Sequence, residues 1–265
     1  MIEFHPDLYR GTAREYDRFR VAYPKAMIDD LIEATGPSGH GRLLDLACGT
    51  GQITFALAER FAEVWAVDQE PDMIELVRAK AQAVPGTHVH ALAARAEDLT
   101  APAGAFELVA IGNAFHRLRR DAVAGSAFRW LQPGGSVALL WSTGPWTGDA
   151  DWQVAMAALL ERWRIKMGAQ ARIPAGWDRP RRQRPDADVL TSAGFRDVHS
   201  ARFPTVHDWT TDELIGLVYS TSFLPRTVLG DQAAAFERDV RHELGDRDVL
   251  RETIDFAYEA ARRPA

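Results

Sequence analysis

The most informative part of the sequence for the fold is Leu43-Leu44-Asp45-Leu46-Ala47-Cys48-Gly49-Thr50-Gly51-Gln52. In it a short apolar run holding one acidic residue leads into a turn of small residues, and a helical pattern follows. Small residues in such a turn let a ligand approach the backbone closely. The segment therefore predicts a strand, a turn and a helix, with a ligand bound at the turn.

The alternation of short apolar runs with amphipathic stretches continues after this turn. Such alternation is typical of βαβ units around a parallel sheet. The predicted strands are 43–47, 64–67, 89–93, 106–111 and 137–141, and the helices between them are 51–60, 71–82 and 121–131. An earlier helical pattern opens at Pro24 and closes at Gly36. The layout predicts a doubly wound α/β fold.

The rhythm changes after Trp141. Residues 142–190 contain a Gly/Pro-rich loop, a predicted helix near 152–167 and the basic segment Arg179-Pro180-Arg181-Arg182-Gln183-Arg184. A predicted strand then runs from Phe195 to Phe203, followed by helices near 211–222 and 231–244. Residues 252–260 combine β-branched and aromatic residues with alanines and glutamates, so that a strand and a helix both stay open.

These patterns divide the chain into four segments. Residues 1–40 form an N-terminal lid segment with the first helix, and residues 41–142 form the ligand-binding core. Residues 143–190 are interpreted as an inserted substrate lid. Residues 191–265 are expected to complete the sheet and to add further helices.

The composition excludes several classes of protein. Of the 265 residues, 46% are hydrophobic and 26% are charged, as in soluble globular domains. The formal net charge of −6 gives no positive field for steering towards nucleic acid. A single cysteine, no signal-peptide pattern and no apolar run of about 18 residues argue against disulfides, secretion and membrane spans. We expect a cytoplasmic protein without nucleic-acid or membrane partners. The sequence does not indicate its oligomeric state.

The turn favours a cationic ligand over a dinucleotide. Gly49 and Gly51 supply two positions of the G-x-G-x-x-G fingerprint for NAD, but Thr54 stands in the third. Moreover, Asp45 would repel a pyrophosphate at the strand end and attract a ligand that carries an ammonium group.

Two later residues predict a nucleoside. Asp68 ends the second predicted strand, where its carboxylate can accept hydrogen bonds from both ribose hydroxyls. Met73 lies in the first turn of the next helix, where its apolar side chain can cover an adenine face. Together with the turn, these residues predict the binding of a cationic adenosine derivative.

The run Asp45-Leu46-Ala47-Cys48-Gly49-Thr50-Gly51 resembles the [DE]-x-G-x-G-x-G motif of class I S-adenosylmethionine-dependent methyltransferases, with Ala47 in place of the first glycine. Residues 67–73 resemble the second motif of that family, and Ala96-Glu97-Asp98-Leu99 resembles the third. Residues 106–109 are similar to its fourth strand, and residues 131–135 to the turn before its fifth. Within the family, the chain is most similar to the type 11, trans-aconitate methyltransferase-like group that acts on small molecules.

This resemblance implies a Rossmann-like, seven-stranded, mostly parallel sheet with an inserted and a C-terminal helical lid. It also implies S-adenosylmethionine as cofactor. Tyr16 and Arg20 match a tyrosine and an arginine that close over the methionine end, where an arginine fork can pair with the α-carboxylate. The other cofactor contacts that we expect are Asp45, Ala47, Gly49 and Gly51 in the turn, Asp68, Gln69 and Met73 after it, Ala96 and Glu97 beside the adenine, and Asn113.

The candidate catalytic residue is His116, in the segment Gly112-Asn113-Ala114-Phe115-His116 that follows the fourth predicted strand. With an ordinary pKa near 6.5, it could accept a proton from the acceptor. In the alternative, it only hydrogen-bonds to loop backbone. A base is not essential, because positioning alone can supply roughly 7–11 kcal/mol of such a barrier. The segment lacks the prolines of the [DN]-P-P-[YFW] motif, which disfavours adenine methylation.

Two other polar features are interpreted as having no functional role. His88 and His90 alternate along a strand and are expected to face solvent, so no metal site is predicted. The basic segment 179–184 could meet an acidic substrate, but a solvated loop is the favoured interpretation.

We therefore expect an enzyme, a methyltransferase that acts on an oxygen or nitrogen of a small-molecule metabolite. Two alternatives stay open. One is a cyclase or pericyclase that uses the sulfonium as a fixed charge. The other is a non-catalytic protein that binds S-adenosylmethionine or S-adenosylhomocysteine.

Overall fold

A computed structural model describes residues 4, 7–84, 86, 88–245, 247 and 249–265. Contacts between residues divide the chain into two compact units. The sheet unit comprises Ala22–Ser142, Asp178–Phe203 and Phe256–Ala265. The helical unit comprises Met1–Val21, Thr143–Trp177 and Pro204–Asp255.

The described residues form a seven-stranded sheet in the order β3-β2-β1-β4-β5-β7-β6. Strands β3, β2, β1, β4 and β5 are each parallel to their neighbours in this order, whereas β7 pairs with β5 in the antiparallel direction. The seven-stranded, mostly parallel fold expected from the sequence is therefore confirmed. The strands are β1 Arg42–Leu46, β2 Glu63–Asp68, β3 Val89–Ala93, β4 Phe106–Gly112, β5 Leu131–Ser142, β6 Arg196–Trp209 and β7 Leu250–Arg262.

The α-helices include segments in both units. In the sheet unit they are α2 Lys25–Thr35, α3 Gln52–Leu57, α4 Pro71–Ala83, α5 Arg120–Trp130, α7 Arg179–Gln183 and α8 Asp186–Ser192. In the helical unit they are α1 Ala13–Phe19, α6 Asp151–Lys166, α9 Thr211–Tyr219, α10 Arg226–Leu229 and α11 Ala233–Leu244. Helix α4 begins at a proline, whose fixed φ suits the first helical position.

The central strands of the sheet unit are buried on both faces. Residues 43–46 of β1 and 108–111 of β4 are all buried, as expected for parallel strands covered by helices on both sides. One apolar core contains residues of β4, β5, α5 and α8, including Val123 and Leu190, and also Phe195 just before β6. A smaller cluster on β2 and α4 contains Ala66, Ile74 and Val77.

The helical unit is held by close packing and by one arginine. A Cβ atom at Gly216 in α9 would lie 2.4 Å from the ring of Phe19, so the missing side chain lets α1 approach α9. Arg172 donates from Nε to the carbonyl of Ser222 at 2.7 Å and from Nη2 to that of Leu8 at 2.9 Å. These bonds connect three separate segments of the unit.

Several boundaries differ from the sequence predictions. The predicted helix 51–60 is α-helical only as far as Leu57 and ends in a 3₁₀ turn, while β5 begins at Leu131 instead of Val137. Residues 250–262 form strand β7, because pairing with β5 and burial outweigh the helix propensity of the alanines and glutamates. The basic segment contains helix α7 where a loop was predicted, and although three of its arginines pair with acidic residues, none of the residues of α7 is buried, as expected for a solvated segment.

The structural units also divide the predicted insertion. Residues 143–177 belong to the helical unit, whereas residues 178–190 belong to the sheet unit. The N-terminal segment is divided as well, between Val21 and Ala22. Among the described helices, none has both the length and the apolar character needed to cross a membrane.

Candidate cofactor site and active site

The candidate site lies at the carboxyl edge of the sheet unit. Strand β1 pairs with β2 on one side and with β4 on the other, so the order of the strands reverses there. Ligands of open α/β sheets bind outside the carboxyl ends of the strands at such a switch point. The predicted site residues of this unit lie in or after β1, β2, β3 and β4 at this edge.

The turn after β1 has an unusual backbone. Ala47, Gly49 and Gly51 all have positive φ, at 57°, 55° and 84°. The amide of Cys48 between them donates to the carbonyl of Val67 at the end of β2, at 3.0 Å. The turn is thus fixed against the neighbouring strand with small residues at its left-handed positions, which keeps its backbone open to close approach.

Asp68 anchors this turn from the end of β2. Its Oδ2 accepts the Gly49 amide and its Oδ1 accepts the Glu70 amide, both at 2.9 Å. Burial raises the pKa of Asp68, and these backbone hydrogen bonds oppose the rise. The backbone of Gln69 also hydrogen-bonds to this carboxylate, which leaves about one further lone pair to accept a ribose hydroxyl. Next to it, Gln69 is exposed, whereas Met73 is buried at the start of α4.

Asp45 has a structural task. Its Oδ2 accepts both the amide of Thr54, at 2.8 Å, and the hydroxyl of Thr54, at 2.6 Å. Its Oδ1 is buried without a hydrogen-bond partner among the described residues. Burial raises the pKa of Asp45 to about 7 despite the bonds from Thr54, and the charge of Asp68 adds to the rise. The carboxylate holds the start of α3, while its contact with the cofactor stays a prediction.

The loop after β3 lies beside the end of β2, because the Ala94 amide donates to the Asp68 carbonyl at 2.9 Å. Within this loop Ala96 is buried. Glu97 accepts the amide of Arg119, at 3.1 Å, and so connects the loop to the segment before α5. Contacts of Ala96 and Glu97 with an adenine remain predictions.

Asn113 connects the ends of β4 and β5. Its φ of 50° is unusual for a residue other than glycine. Its Oδ1 accepts the amide of Ser142 at 3.0 Å, and its Nδ2 donates to Ser142 Oγ at 3.2 Å and to Tyr23 Oη at 3.3 Å. The side chain therefore fixes the backbone at the edge where the cofactor is expected.

Tyr16 and Arg20 belong to the helical unit. The Arg20 guanidinium lies 4.7 Å from the centroid of the Tyr16 ring. It also donates to Ser220, from Nε to Oγ at 2.9 Å and from Nη2 to the carbonyl at 3.1 Å. The two residues are thus associated with each other, and their predicted cofactor contacts remain predictions.

The surroundings of His116 disfavour the role predicted for it. Burial lowers the pKa of His116 to about 3, and the charges of Arg117, Arg181 and Arg120 contribute in that order. Its Nε2 already accepts a hydrogen bond from Arg117 Nε at 3.1 Å. An imidazole held neutral by burial and by nearby cations is a weak base, so these surroundings do not favour proton transfer to His116, and its role as a general base stays a prediction.

Sequence reasoning missed several residues that shape the site. Thr54 stood out only as a departure from the NAD fingerprint, and Tyr23 and Ser142 were not singled out. Asp186 is buried between Arg120 Nη1 and Arg181 Nε, at 2.7 Å from each. The position of Asp186 just after the basic segment could have indicated its ion pair with Arg181. Its other partner, Arg120, is distant in sequence.

No metal centre stands out. The described part of the chain contains no group of three or more histidine, cysteine or acidic side chains placed to hold a metal ion. His90 Nε2 lies 3.3 Å from Glu63 Oε1, and the His90 side chain is mostly exposed.

Comparison with known proteins identifies the segment that carries this site. Residues 43–135 match the family described as methyltransferase domain. An uncharacterized methyltransferase of Mycobacterium tuberculosis H37Rv is 36% identical over 128 residues, which are 48% of this chain and 49% of that protein. The chain thus spans about half the length of this curated relative.

Two further matches extend beyond this segment. An uncharacterized methyltransferase-like protein of Schizosaccharomyces pombe is 25% identical over 217 residues, 82% of this chain and 78% of that protein. The solved structure of the YcgJ protein of Bacillus subtilis has a TM-score of 0.58 and 13% identity, covering 91% of this chain and 100% of that one. This structural likeness shows the fold.

Residues 43–135 of the chain therefore match a methyltransferase domain, in agreement with the motifs of class I S-adenosylmethionine-dependent methyltransferases that this segment resembles, and that resemblance implies S-adenosylmethionine as the cofactor. The residues present fit this cofactor. Asp68 offers acceptors for a ribose at the end of β2, and the left-handed turn offers open backbone. The buried Oδ1 of Asp45 has no hydrogen-bond partner among the described residues, so it is an available acceptor near the turn for a donor such as an ammonium group.

Proposed function

We propose that the protein transfers the methyl group of S-adenosylmethionine to an oxygen or nitrogen of a small-molecule acceptor. The observation that supports this best is the turn of residues 45–51 anchored by both oxygens of Asp68, at the switch point of the sheet. A class I domain over residues 43–135 agrees with it.

The cofactor supplies a methyl group that is already activated on a sulfonium, so the protein has mainly to bind and orient. Asp68 accepts hydrogen bonds from the ribose while its carboxylate stays fixed by the amides of Gly49 and Glu70. Asn113 keeps the ends of β4 and β5 in a single arrangement through Ser142. Such positioning can supply roughly 7–11 kcal/mol of a barrier.

His116 is not assigned the task of a base in this proposal. A general base typically adds about 10²–10⁴-fold, provided that its pKa lies near the operating pH. The pKa of His116, lowered to about 3 by burial and by nearby arginines, is far from that range. We therefore expect the acceptor to present its nucleophilic atom without proton transfer to this imidazole.

The proposal is tested by binding and by transfer. Calorimetry should show that the protein binds S-adenosylhomocysteine, and that Asp68→Ala weakens binding by about 1–3 kcal/mol, or about 5- to 150-fold, through lost hydrogen bonds. Asp98→Ala, which removes an exposed carboxylate in the loop after β3, serves as the matched control. No binding by the unmodified protein would refute the cofactor assignment.

Incubation with methyl-labelled S-adenosylmethionine and a panel of hydroxylated, amino and carboxylated metabolites tests the transfer itself. The proposal expects label in at least one acceptor. Tight cofactor binding with chemical conversion of an acceptor but no label would favour a cyclase. Binding with no conversion across the panel would favour a non-catalytic cofactor-binding protein.

A further inference from the structure

Three arginines surround His116 at the carboxyl edge of the sheet unit. Arg117 follows His116 directly, Arg120 begins α5, and Arg181 lies in α7. Arg117 Nε donates to His116 Nε2 at 3.1 Å, and the carboxylate of Asp186 lies 2.7 Å from both Arg120 Nη1 and Arg181 Nε. We call Arg117, Arg120 and Arg181 the arginine cluster.

The arginine cluster lies beside the end of β5. The Arg181 guanidinium is 4.9 Å from the centroid of the Trp141 ring. Trp141 is the penultimate residue of β5, and its neighbour Leu140 pairs with Gly112 at the end of β4. The cluster thus adjoins the strand ends next to the cofactor turn.

The members of the cluster differ in their tasks. Arg120 donates to the carbonyls of Arg184 and Pro180 and to Asp186, so it holds α7 against the start of α5. Its side chain is only 11% exposed, whereas that of Arg181 is 33% exposed. Arg181 is therefore the member that is more accessible to a ligand.

The local charge is positive in a protein that is acidic overall. The carboxylate of Asp186 pairs with two of the three arginines of the cluster, Arg120 and Arg181. Glu259 on β7 also interacts with Arg181, and burial raises the pKa of Glu259. Guanidinium groups are well suited to oxyanions because they offer parallel donors in a fixed fork.

We propose that Arg117, Arg181 and Trp141 form the acceptor subsite of the enzyme and that this subsite takes an organic oxyanion, a carboxylate or a phosphate ester. The inference rests on the proposed function and specifies its substrate class. The oxyanion is held by the guanidinium groups, and the ring of Trp141 offers an apolar surface for the carbon skeleton attached to it. Which atom of the acceptor receives the methyl group is independent of this assignment.

The experiment uses three probes of similar shape, benzoate, phenyl phosphate and neutral benzamide. Each is titrated into the full chain saturated with S-adenosylhomocysteine, and binding is followed by saturation-transfer NMR. At least one anion is expected to bind about tenfold or more tightly than benzamide. A preference for benzoate identifies a carboxylate subsite, and a preference for phenyl phosphate identifies a phosphate subsite.

Variants connect this binding to the cluster. Arg181→Gln and Arg117→Gln are each expected to weaken binding of the preferred anion about tenfold, with S-adenosylhomocysteine binding retained as the sign of an intact fold. Arg182→Gln is the matched control, because Arg182 lies on the same helix, is 75% exposed and pairs with Asp178. It should leave anion binding unchanged.

Two results would overturn the inference. One is equal binding of the anions and of benzamide. The other is anion binding that survives both Arg181→Gln and Arg117→Gln, which would leave the cluster with a purely structural role. Either result with normal cofactor binding and methyl transfer leaves the proposed function standing. Failure of the unmodified protein to bind S-adenosylhomocysteine would remove both.

Discussion

Ala47 occupies a backbone conformation that suits glycine. Its φ is 57°, and the left-handed region costs a residue with a Cβ atom roughly 1–2 kcal/mol. We therefore expect Ala47→Gly to stabilise the protein by about 1 kcal/mol, which raises Tm by about 2–4 °C in a chain of this size. Thermal unfolding followed by circular dichroism measures the shift.

The control for Ala47→Gly is the same substitution in a helix. Ala56 is exposed in α3, where glycine costs about 1 kcal/mol relative to alanine. Ala56→Gly should therefore lower Tm. A comparable loss in both variants would show that the conformation of Ala47 carries no strain.

His116 should make the protein sensitive to acid. Its pKa is about 3 in the folded state and near 6.5 in the unfolded chain. Between these values the unfolded chain holds a proton that the folded state lacks, so stability decreases as the pH falls from about 6.5 towards 3. The slope contributed by this one group is at most about 1.4 kcal/mol per pH unit.

Substitution of His116 by glutamine should reduce this loss of stability at acidic pH. The free energy of unfolding is measured in urea between pH 4.5 and pH 7.5. His40→Gln, at an exposed position, should keep the acid dependence of the unmodified protein. If His116→Gln kept it too, the imidazole would not be held neutral by its surroundings.

These two residues differ in how far the sequence could predict them. Ala47 was visible as a departure from a glycine motif, because its position in the turn is set by its immediate neighbours. The environment of His116 was not visible, because Arg120 and Arg181 come from separate helices that only the folded chain brings together. Local patterns located the candidate, but its burial and the nearby charge of Arg181 arise only in the folded chain.

At the scale of elements, one buried pair holds the start of α3. Thr54 is fully buried and donates both its amide and its hydroxyl to Asp45. Thr54→Val keeps the shape but removes the hydroxyl donor, so it should destabilise the protein by about 1–3 kcal/mol. It should also raise the pKa of Asp45 beyond its value of about 7, because the hydrogen bond that the substitution removes stabilises the ionised carboxylate. Urea unfolding at pH 8 measures the loss.

Thr54→Ser is the matched variant, since serine keeps the hydroxyl in nearly the same place. It should lose less stability than the valine variant and bind S-adenosylhomocysteine as the unmodified protein does. If both variants were equally destabilised, the missing methyl group rather than the hydrogen bond to Asp45 would account for the loss.

The elements themselves were predictable where one pattern dominated. Strands β1 to β4 and helices α4 and α5 follow the apolar periods of residues 42–130, so their predicted bounds are nearly correct. Strand β7 was ambiguous, because its alanines and glutamates favour a helix and only the pairing with β5 decides for a strand. Helix α7 was missed because it is short and three of its five residues are arginines, so that it has no apolar period to indicate a helix.

At the scale of the whole molecule, the recognised family covers one continuous part of the chain. The methyltransferase domain match spans residues 43–135, and the cofactor turn, Asp68, Asn113 and His116 all lie within it. Trp141 and Arg181 lie outside it. The cofactor could thus be inferred from sequence motifs, whereas the proposed acceptor subsite depends on residues that the fold assembles.

The assignment of Asp68 to the cofactor and of Arg181 to the acceptor predicts that their variants respond differently to S-adenosylhomocysteine, the product formed from the cofactor. A ligand that binds only the folded state stabilises it by about 2.7 kcal/mol at 100 times its Kd. Saturating S-adenosylhomocysteine should therefore raise the Tm of the unmodified protein by several degrees. Asp68→Ala should lose about a third or more of this shift, because the carboxylate no longer accepts the ribose and binding weakens about 5- to 150-fold. Arg181→Gln should keep the full shift, because Arg181 is assigned to the acceptor. Scanning fluorimetry at a fixed S-adenosylhomocysteine concentration compares the three proteins, and a full shift in Asp68→Ala or a lost shift in Arg181→Gln would contradict the division into cofactor and acceptor residues.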